Sequence, residues 1–456
     1  MTASAATAVN PRTQALLQAP LIPTLLKLAA PNVLGLLATT VTIAYDGWVV
    51  GRLGADALAG VALVFPLAML MVQMSGGGIG GATTAAVARA LGAGQRAQAE
   101  TLLVQALWVA ISFALLFMVV LLPFGPALYA AFGGRGAALQ AAQAYGGVLF
   151  SGALVVWVTN VLAGAVRGSG QMALASALLV TSAALHLGLC PLLVFGVGSW
   201  PGLGVAGAAA STLVSNALAG GVLVGWLLAG RGALSLPVRR WQPRAEPLRA
   251  LLRVGLPAML SPVLSNGSIA VATAWIATLG TTALAGYGLA ARLEYIVVPI
   301  SFGFGTALTA LVATNLGARQ RERAWRATWT GALLVMAVTG AIGGAAALWP
   351  VAWMQRLSSD PGVIAFGADY LRVVGGCYGL FGLGLALFFA SQGAGRMTWP
   401  LVGSVLRLVV VVAGGWLALT LAPGQPQALF AVVAAGFVVY AGVIAASIAL
   451  ERWASA

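Results

Sequence analysis

Residues 53–60 read Leu53-Gly-Ala-Asp-Ala-Leu-Ala-Gly60, and residues 279–286 read Leu279-Gly-Thr-Thr-Ala-Leu-Ala-Gly286. The flanking sequence repeats at nearly the same interval. Leu28-Ala-Ala-Pro31 answers Val254-Gly-Leu-Pro257, Leu91-Gly-Ala-Gly-Gln-Arg96 answers Leu316-Gly-Ala-Arg-Gln-Arg321, and Gly168-Ser-Gly-Gln-Met172 answers Gly393-Ala-Gly-Arg-Met397. Four matches, each offset by 225 or 226 positions, mark an internal duplication.

Composition identifies the medium in which the two copies fold. Of 456 residues, 61% are hydrophobic and only 7% are charged, whereas a soluble domain carries about a quarter charged residues. The solvent is a bilayer. Long apolar segments bounded by Gly, Pro and Arg clusters predict twelve spans, near 28–51, 57–88, 101–122, 138–163, 172–196, 205–229, 251–278, 282–314, 328–350, 363–391, 398–421 and 426–450. The sequence before them, MTASAATAVNPRTQ, lacks the basic and apolar layout of a signal peptide. Each copy holds six spans, so both cross the membrane in the same sense. The expected fold class is an all-α integral membrane protein, with twelve transmembrane helices in two parallel six-helix repeats around a central cleft. The corresponding organisation is an N-terminal cytoplasmic segment 1–27, a lobe 28–229, a linker 230–250, a lobe 251–450 and a tail 451–456.

The net charge of +14 raises the question of nucleic acid, and the positions of the basic residues answer it. With the N-terminus inside, seventeen of the 23 fall in cytoplasmic segments: Arg12, Lys27, Arg89, Arg96, Arg167, Arg231, Arg239, Arg240, Arg244, Arg249, Arg253, Arg319, Arg321, Arg323, Arg326, Arg396 and Arg452. Arg52, Arg135 and Arg356 lie outside, and Arg292, Arg372 and Arg407 lie within spans. This bias predicts a multi-pass protein of the cell (inner) membrane with both termini cytoplasmic, facing anionic lipid and binding no nucleic acid.

The pattern Asp46-x4-Gly51-x-Leu53-Gly54, followed by Ala57-Leu-Ala and by Leu91-Gly-Ala at the end of a long second span, resembles the multidrug and toxic compound extrusion (MATE) transporters. The second copy adds Ala283-Leu-Ala, Pro299 and Asn315-Leu-Gly-Ala318, and the likeness extends over about residues 25–450. The resemblance implies a transporter that exports small organic, often cationic, compounds in exchange for protons or sodium. It also implies that Asp46, at the matching position, is the coupling carboxylate. Major facilitators share the six-plus-six count, but Ala90-Leu-Gly-Ala-Gly-Gln-Arg96 lacks the acid their corresponding loop carries.

Ionisable groups inside spans are the default functional candidates, because a charge in the bilayer interior is costly. Of nine carboxylates, only Asp46 in the first span and Glu294 in the eighth lie well inside. Glu294, about ten residues into its span and thus roughly 15 Å deep, reads as a counter-charge for a cationic substrate or a second proton site, with a pair to Arg407 as the alternative. In the fifth span many relatives carry Asn-x3-Asp-Pro, whereas this chain reads His186-Leu-Gly-Leu-Cys190-Pro191. Positions four apart share a helix face, so His186 and Cys190 look at one cavity. Sodium asks for several oxygen ligands, by analogy with other hard cations, so imidazole and thiol there favour proton coupling, with His186 passing protons to Asp46 or holding it by a hydrogen bond; a neutral histidine packed in the bundle and Cys190 as a small apolar filler are the plain alternatives.

Asn160, Asn266, Tyr45, Tyr287 and Tyr295 complete the candidate substrate-binding set with Glu294 and Arg407; Trp275 and Tyr378 are further π faces. Gly76-Gly-Gly-Ile-Gly-Gly81 lies inside an apolar span with no preceding strand, which suits close helix packing or local loosening rather than a phosphate loop. Cys190 and Cys377 fall in different lobes and suggest neither a disulfide nor a metal framework. No catalytic residue, metal or cofactor is expected beyond a coupling proton or sodium ion. One histidine and scattered carboxylates also fall short of a membrane enzyme's catalytic cluster. The expected assembly is a monomer. The alternatives are a sodium-coupled exporter and a lipid or lipid-linked precursor flippase on the same architecture, the latter resting on the three arginines within spans.

Overall fold

The computed structural model describes residues 11–230, 232–237 and 241–451, apart from the side chains of Arg12 and Glu451. Arg231, Arg239, Arg240 and Arg452, counted above for orientation, lie outside the described residues. In hydrocarbon every backbone N–H and C=O must be satisfied within its own segment, and the described residues are accordingly helical, with one isolated antiparallel bridge between Val197 and Trp200.

The first six spans are Leu21–Gly51, Ala55–Gly92, Arg96–Ala131, the pair Gly136–Ser151 and Ala153–Gly168 bent by 48°, Met172–Phe195 and Val205–Leu228. The second six are Ala245–Ala277, Thr281–Gly317, Arg321–Leu348, Pro361–Ala394, Thr398–Leu421 and Pro426–Leu450. Short helices Pro11–Gln18 and Pro350–Met354 accompany them. All twelve predicted spans are present, and several are longer than expected. The first begins at Leu21 rather than residue 28, and the seventh at Ala245 rather than 251. Hydropathy stops at Lys27 and at Arg249 and Arg253, whereas backbone hydrogen bonding continues through them.

Contacts group the chain into two compact units. One holds the described residues through Leu16 together with Leu34–Met259, and the other holds Leu17–Val33 with Leu260 onward. The first and seventh helices thus each divide partway along their length, which a boundary drawn at the linker does not anticipate. The linker is also less free than its composition suggests. Glu100 Oε1 accepts from Ser235 N (3.2 Å) and Ser235 Oγ (2.6 Å), and Gln105 bridges Gln242 O and the Arg244 N–H at 2.9 Å each. These bonds tie the linker to the third span, with Leu234 buried beside them.

The duplication persists at the level of single hydrogen bonds. In the N-terminal unit Thr84 Oγ1 donates to Gly164 O at 2.8 Å, and in the C-terminal unit, 225 positions on, Thr309 Oγ1 donates to Phe389 O at 2.8 Å. A methyl group on Gly168 would stand 2.6 Å from Thr84 O, and one on Gly393 would stand 2.6 Å from Thr309 O. The same helix pair is therefore in backbone contact in each copy. The copies differ at the glycine run, where Met74–Gly80 forms a π-helical turn. There Gly80 O approaches within 2.4 Å of where a Gly164 Cβ would be.

Candidate functional site

Asp46 lies near the end of the first span, and its carboxylate faces the fifth. His186 Nε2 is 2.6 Å from Asp46 Oδ1, and the Cys190 thiol donates to the same oxygen at 3.4 Å. The i, i+4 spacing puts imidazole and thiol on one helix face, as the sequence indicates. Just beyond them Pro191, inside the helix, supplies no N–H to the preceding turn. Ser211, from the sixth span, closes the network: its Oγ lies 2.8 Å from His186 Nδ1 and 3.3 Å from the His186 carbonyl. Tyr145, from the fourth span, packs against the apolar residues around Cys190. Val49, Val50, Val194 and Ala208 pack around Cys190 as an apolar collar. Within it the imidazole is 6% exposed and the Asp46 side chain 21%, so the carboxylate is the accessible member.

This network has two self-consistent hydrogen-bond arrangements that differ by one proton. If the Ser211 hydroxyl donates to Nδ1, then Nε2–H donates to an ionised Asp46. If the hydroxyl donates to the His186 carbonyl, Nδ1–H donates to Ser211, and the 2.6 Å contact needs a proton shared between Nε2 and Asp46. Rotation of one hydroxyl accommodates either state.

The C-terminal unit holds a second polar cluster. Two short 3₁₀ breaks, Ala291–Leu293 and Gly375–Cys377, immediately precede Glu294 and Tyr378, and the Tyr378 hydroxyl donates to Glu294 Oε1 at 3.5 Å. Tyr287 packs edge-on to Tyr370 at 5.2 Å. Arg407 is buried with its guanidinium 4.9 Å from the Phe437 ring centre and 5.2 Å from that of Phe381. Among the described residues no ion pair joins Arg407 to Glu294.

Of the residues singled out in the sequence, Asp46 meets His186, and Glu294, Tyr287 and Arg407 share one cluster. The others are placed elsewhere. Asn160 Nδ2 donates to Ser75 Oγ at 2.8 Å, fastening the fourth span to the π turn. Asn266 is exposed, and Tyr295 is 62% exposed. Tyr45 borders the Cys190 collar and stacks on Trp48 at 5.7 Å. Trp275 donates to Val411 O at 3.2 Å and is wedged against Gly415. Arg292 is exposed and Arg372 pairs with Asp369, which leaves Arg407 as the interior member of the three on which a flippase reading rests. Tyr378, singled out as a π face, meets Glu294 through its hydroxyl instead, while Ser211 and Tyr145 join the first site from ordinary-looking positions. A serine or tyrosine in an apolar span carries no signal by itself.

The sequence profile of the MatE family matches residues 31–192 and 257–417, one stretch in each repeat. The FAD transporter of Shewanella oneidensis is 26% identical over 409 residues, covering 87% of this chain and 88% of that one. Multidrug export protein MepA of Staphylococcus aureus is 25% identical over 305 residues, covering 66% of each chain. A solved multidrug resistance MATE transporter of the MOP superfamily, in an outward-facing conformation, superposes with a TM-score of 0.90 over 97% of this chain and 98% of that one, at 24% identity. A MOP superfamily transporter from Pyrococcus furiosus superposes with a TM-score of 0.88 over the same shares, also at 24% identity.

Proposed function

The chain belongs to the MatE family, and from that premise we propose that it is a proton-coupled antiporter exporting organic, cationic compounds by alternating access. The observation that supports proton coupling is the single Asp46 oxygen that takes an imidazole at 2.6 Å and a thiol at 3.4 Å. A hard cation such as sodium is held by several oxygens, and here nitrogen and sulfur occupy the contacts. The two arrangements of the Ser211 hydroxyl let the Asp46 and His186 pair hold or release one proton without other rearrangement.

For the cargo, relatives named for a flavin dinucleotide and for drugs show that family membership alone does not choose. Glu294 supports a cation. It sits in a span, no ion pair satisfies it among the described residues, and the Tyr378 hydroxyl is its hydrogen-bond donor at 3.5 Å. The arginine distribution supports a cytoplasmic location for both termini.

The test is uptake of a fluorescent organic cation into inside-out vesicles under separately imposed gradients. A proton gradient, acid inside, should drive accumulation, and a sodium gradient with the proton gradient collapsed should drive none. Sodium-driven uptake under those conditions would overturn the proton assignment while leaving transport intact.

A further inference from the structure

We propose that Asp46, His186 and Cys190 form a binding site for a borderline-soft divalent metal ion of the zinc class. The inference rests on the donor set and is independent of which ion drives transport. One carboxylate oxygen, one imidazole nitrogen and one thiol sulfur lie within 4.8 Å of one another. In a tetrahedral zinc site, with bonds of about 2.0–2.3 Å, donor atoms stand about 3.5 Å apart. The Asp46 Oδ1 to Cys190 Sγ separation of 3.4 Å already matches. The Asp46 to His186 contact of 2.6 Å must open by about 1 Å to reach that spacing, which rotation of the carboxylate provides.

The surroundings fit the same chemistry. His186 and Cys190 form an i, i+4 clip on one helix, and Asp46 supplies the third ligand from another. Ser211 bonds the far imidazole nitrogen, Nδ1, at 2.8 Å, the outer-shell contact that aims Nε2 at a metal. The imidazole and thiol are buried while the carboxylate is partly exposed, so an ion enters past Asp46 and keeps a fourth position for water. Nitrogen and sulfur donors select zinc, cobalt or copper over magnesium, calcium or sodium. Binding converts the thiol to a thiolate ligand, and Nε2 and the carboxylate oxygen coordinate once Nε2 is bare; where Nε2 carries the ring proton, that proton moves to Nδ1, Ser211 accepts its hydrogen bond, and the Ser211 hydroxyl turns to the His186 carbonyl. The thiol proton leaves to solvent, together with the proton shared by Asp46 and His186 when one is present. A bound ion thereby excludes protons from the pair, and on the proton-coupled reading above, on which this consequence alone rests, it blocks coupled export.

The experiment titrates cobalt(II) into the purified full-length transporter in detergent, with no gradient present, and reads the near-ultraviolet thiolate-to-cobalt charge-transfer band. One cobalt per chain and displacement of the band by zinc are expected. Cys190→Ser and Cys190→Ala should both lose the band while eluting as monodisperse protein, and Cys377→Ser should retain it. Ser211→Ala should weaken cobalt binding about 10- to 100-fold. A wild-type protein without the band, or a band that survives in the Cys190 variants and disappears in Cys377→Ser, would overturn the proposal. Because the signal is read without transport, its failure and a failure of proton coupling are separate results.

Discussion

Asp46 is the carboxylate whose loss should separate folding from coupling. Asp46→Asn preserves shape and hydrogen-bonding capacity but cannot hold the negative charge that His186 and Cys190 face. Gradient-driven export by this variant should fall to background while expression and elution remain those of the parent, and full transport in vesicles would contradict the coupling role. Glu294 poses a different question. Its hydrogen-bond donor is Tyr378, and Arg407 rests on Phe437 and Phe381 instead of pairing with it. Glu294→Gln should therefore weaken cationic substrates by about 1–3 kcal/mol and leave neutral ones nearly unchanged. Adding Arg407→Leu should not restore the loss. Equal losses for both substrate types with rescue by the double variant, measured as binding constants, would point to an internal charge pair.

Between helices, close approach is the organising feature, and the duplication makes it testable twice. A methyl group on Gly164 would stand 2.4 Å from the Gly80 carbonyl oxygen, a backbone atom that moves only if the helices part. Gly164→Ala should cost about 1–3 kcal/mol, seen as a lower midpoint in thermal unfolding in detergent. Gly225→Ala, with no neighbouring atom within 4 Å, should stay within about 0.5 kcal/mol of the parent. Thr84→Val and Thr309→Val remove equivalent bonds in the two units and should each cost about 0.6–1 kcal/mol. A large difference between the twins would show that the repeats no longer share this contact energetically. The π turn at Met74–Gly80 is partly legible in the sequence, since six residues with five glycines loosen a helix. Its partner Asn160 is legible only as one of two plausible amides, because either hydrogen-bonding or ligand contact suits an asparagine in a span.

Across the whole chain, topology is the property that charge statistics determine. The +14 net charge divides so unevenly along the sequence that a green fluorescent protein fused at the C-terminus should be bright and an alkaline phosphatase fused there inactive. The reverse pattern would invert the orientation. Glu100 and Gln105 of the third span hold Ser235 and Gln242, two described residues of the linker, with the N-terminal unit.

The sequence by itself determined the membrane class, the twelve spans and the duplication. Each of these depends on composition, on segment length or on self-similarity along the chain, and the bilayer enforces them without reference to neighbours. Tertiary structure alone decided which side chains meet. Ser211 lies 165 positions from Asp46 and Tyr378 84 from Glu294, and their convergence depends on how far each helix is rotated about its axis. In spans apolar on nearly every face, no periodic stripe records that rotation. Whether a buried arginine pairs with an acid or lies on aromatic rings was therefore settled only by the packing of the folded bundle.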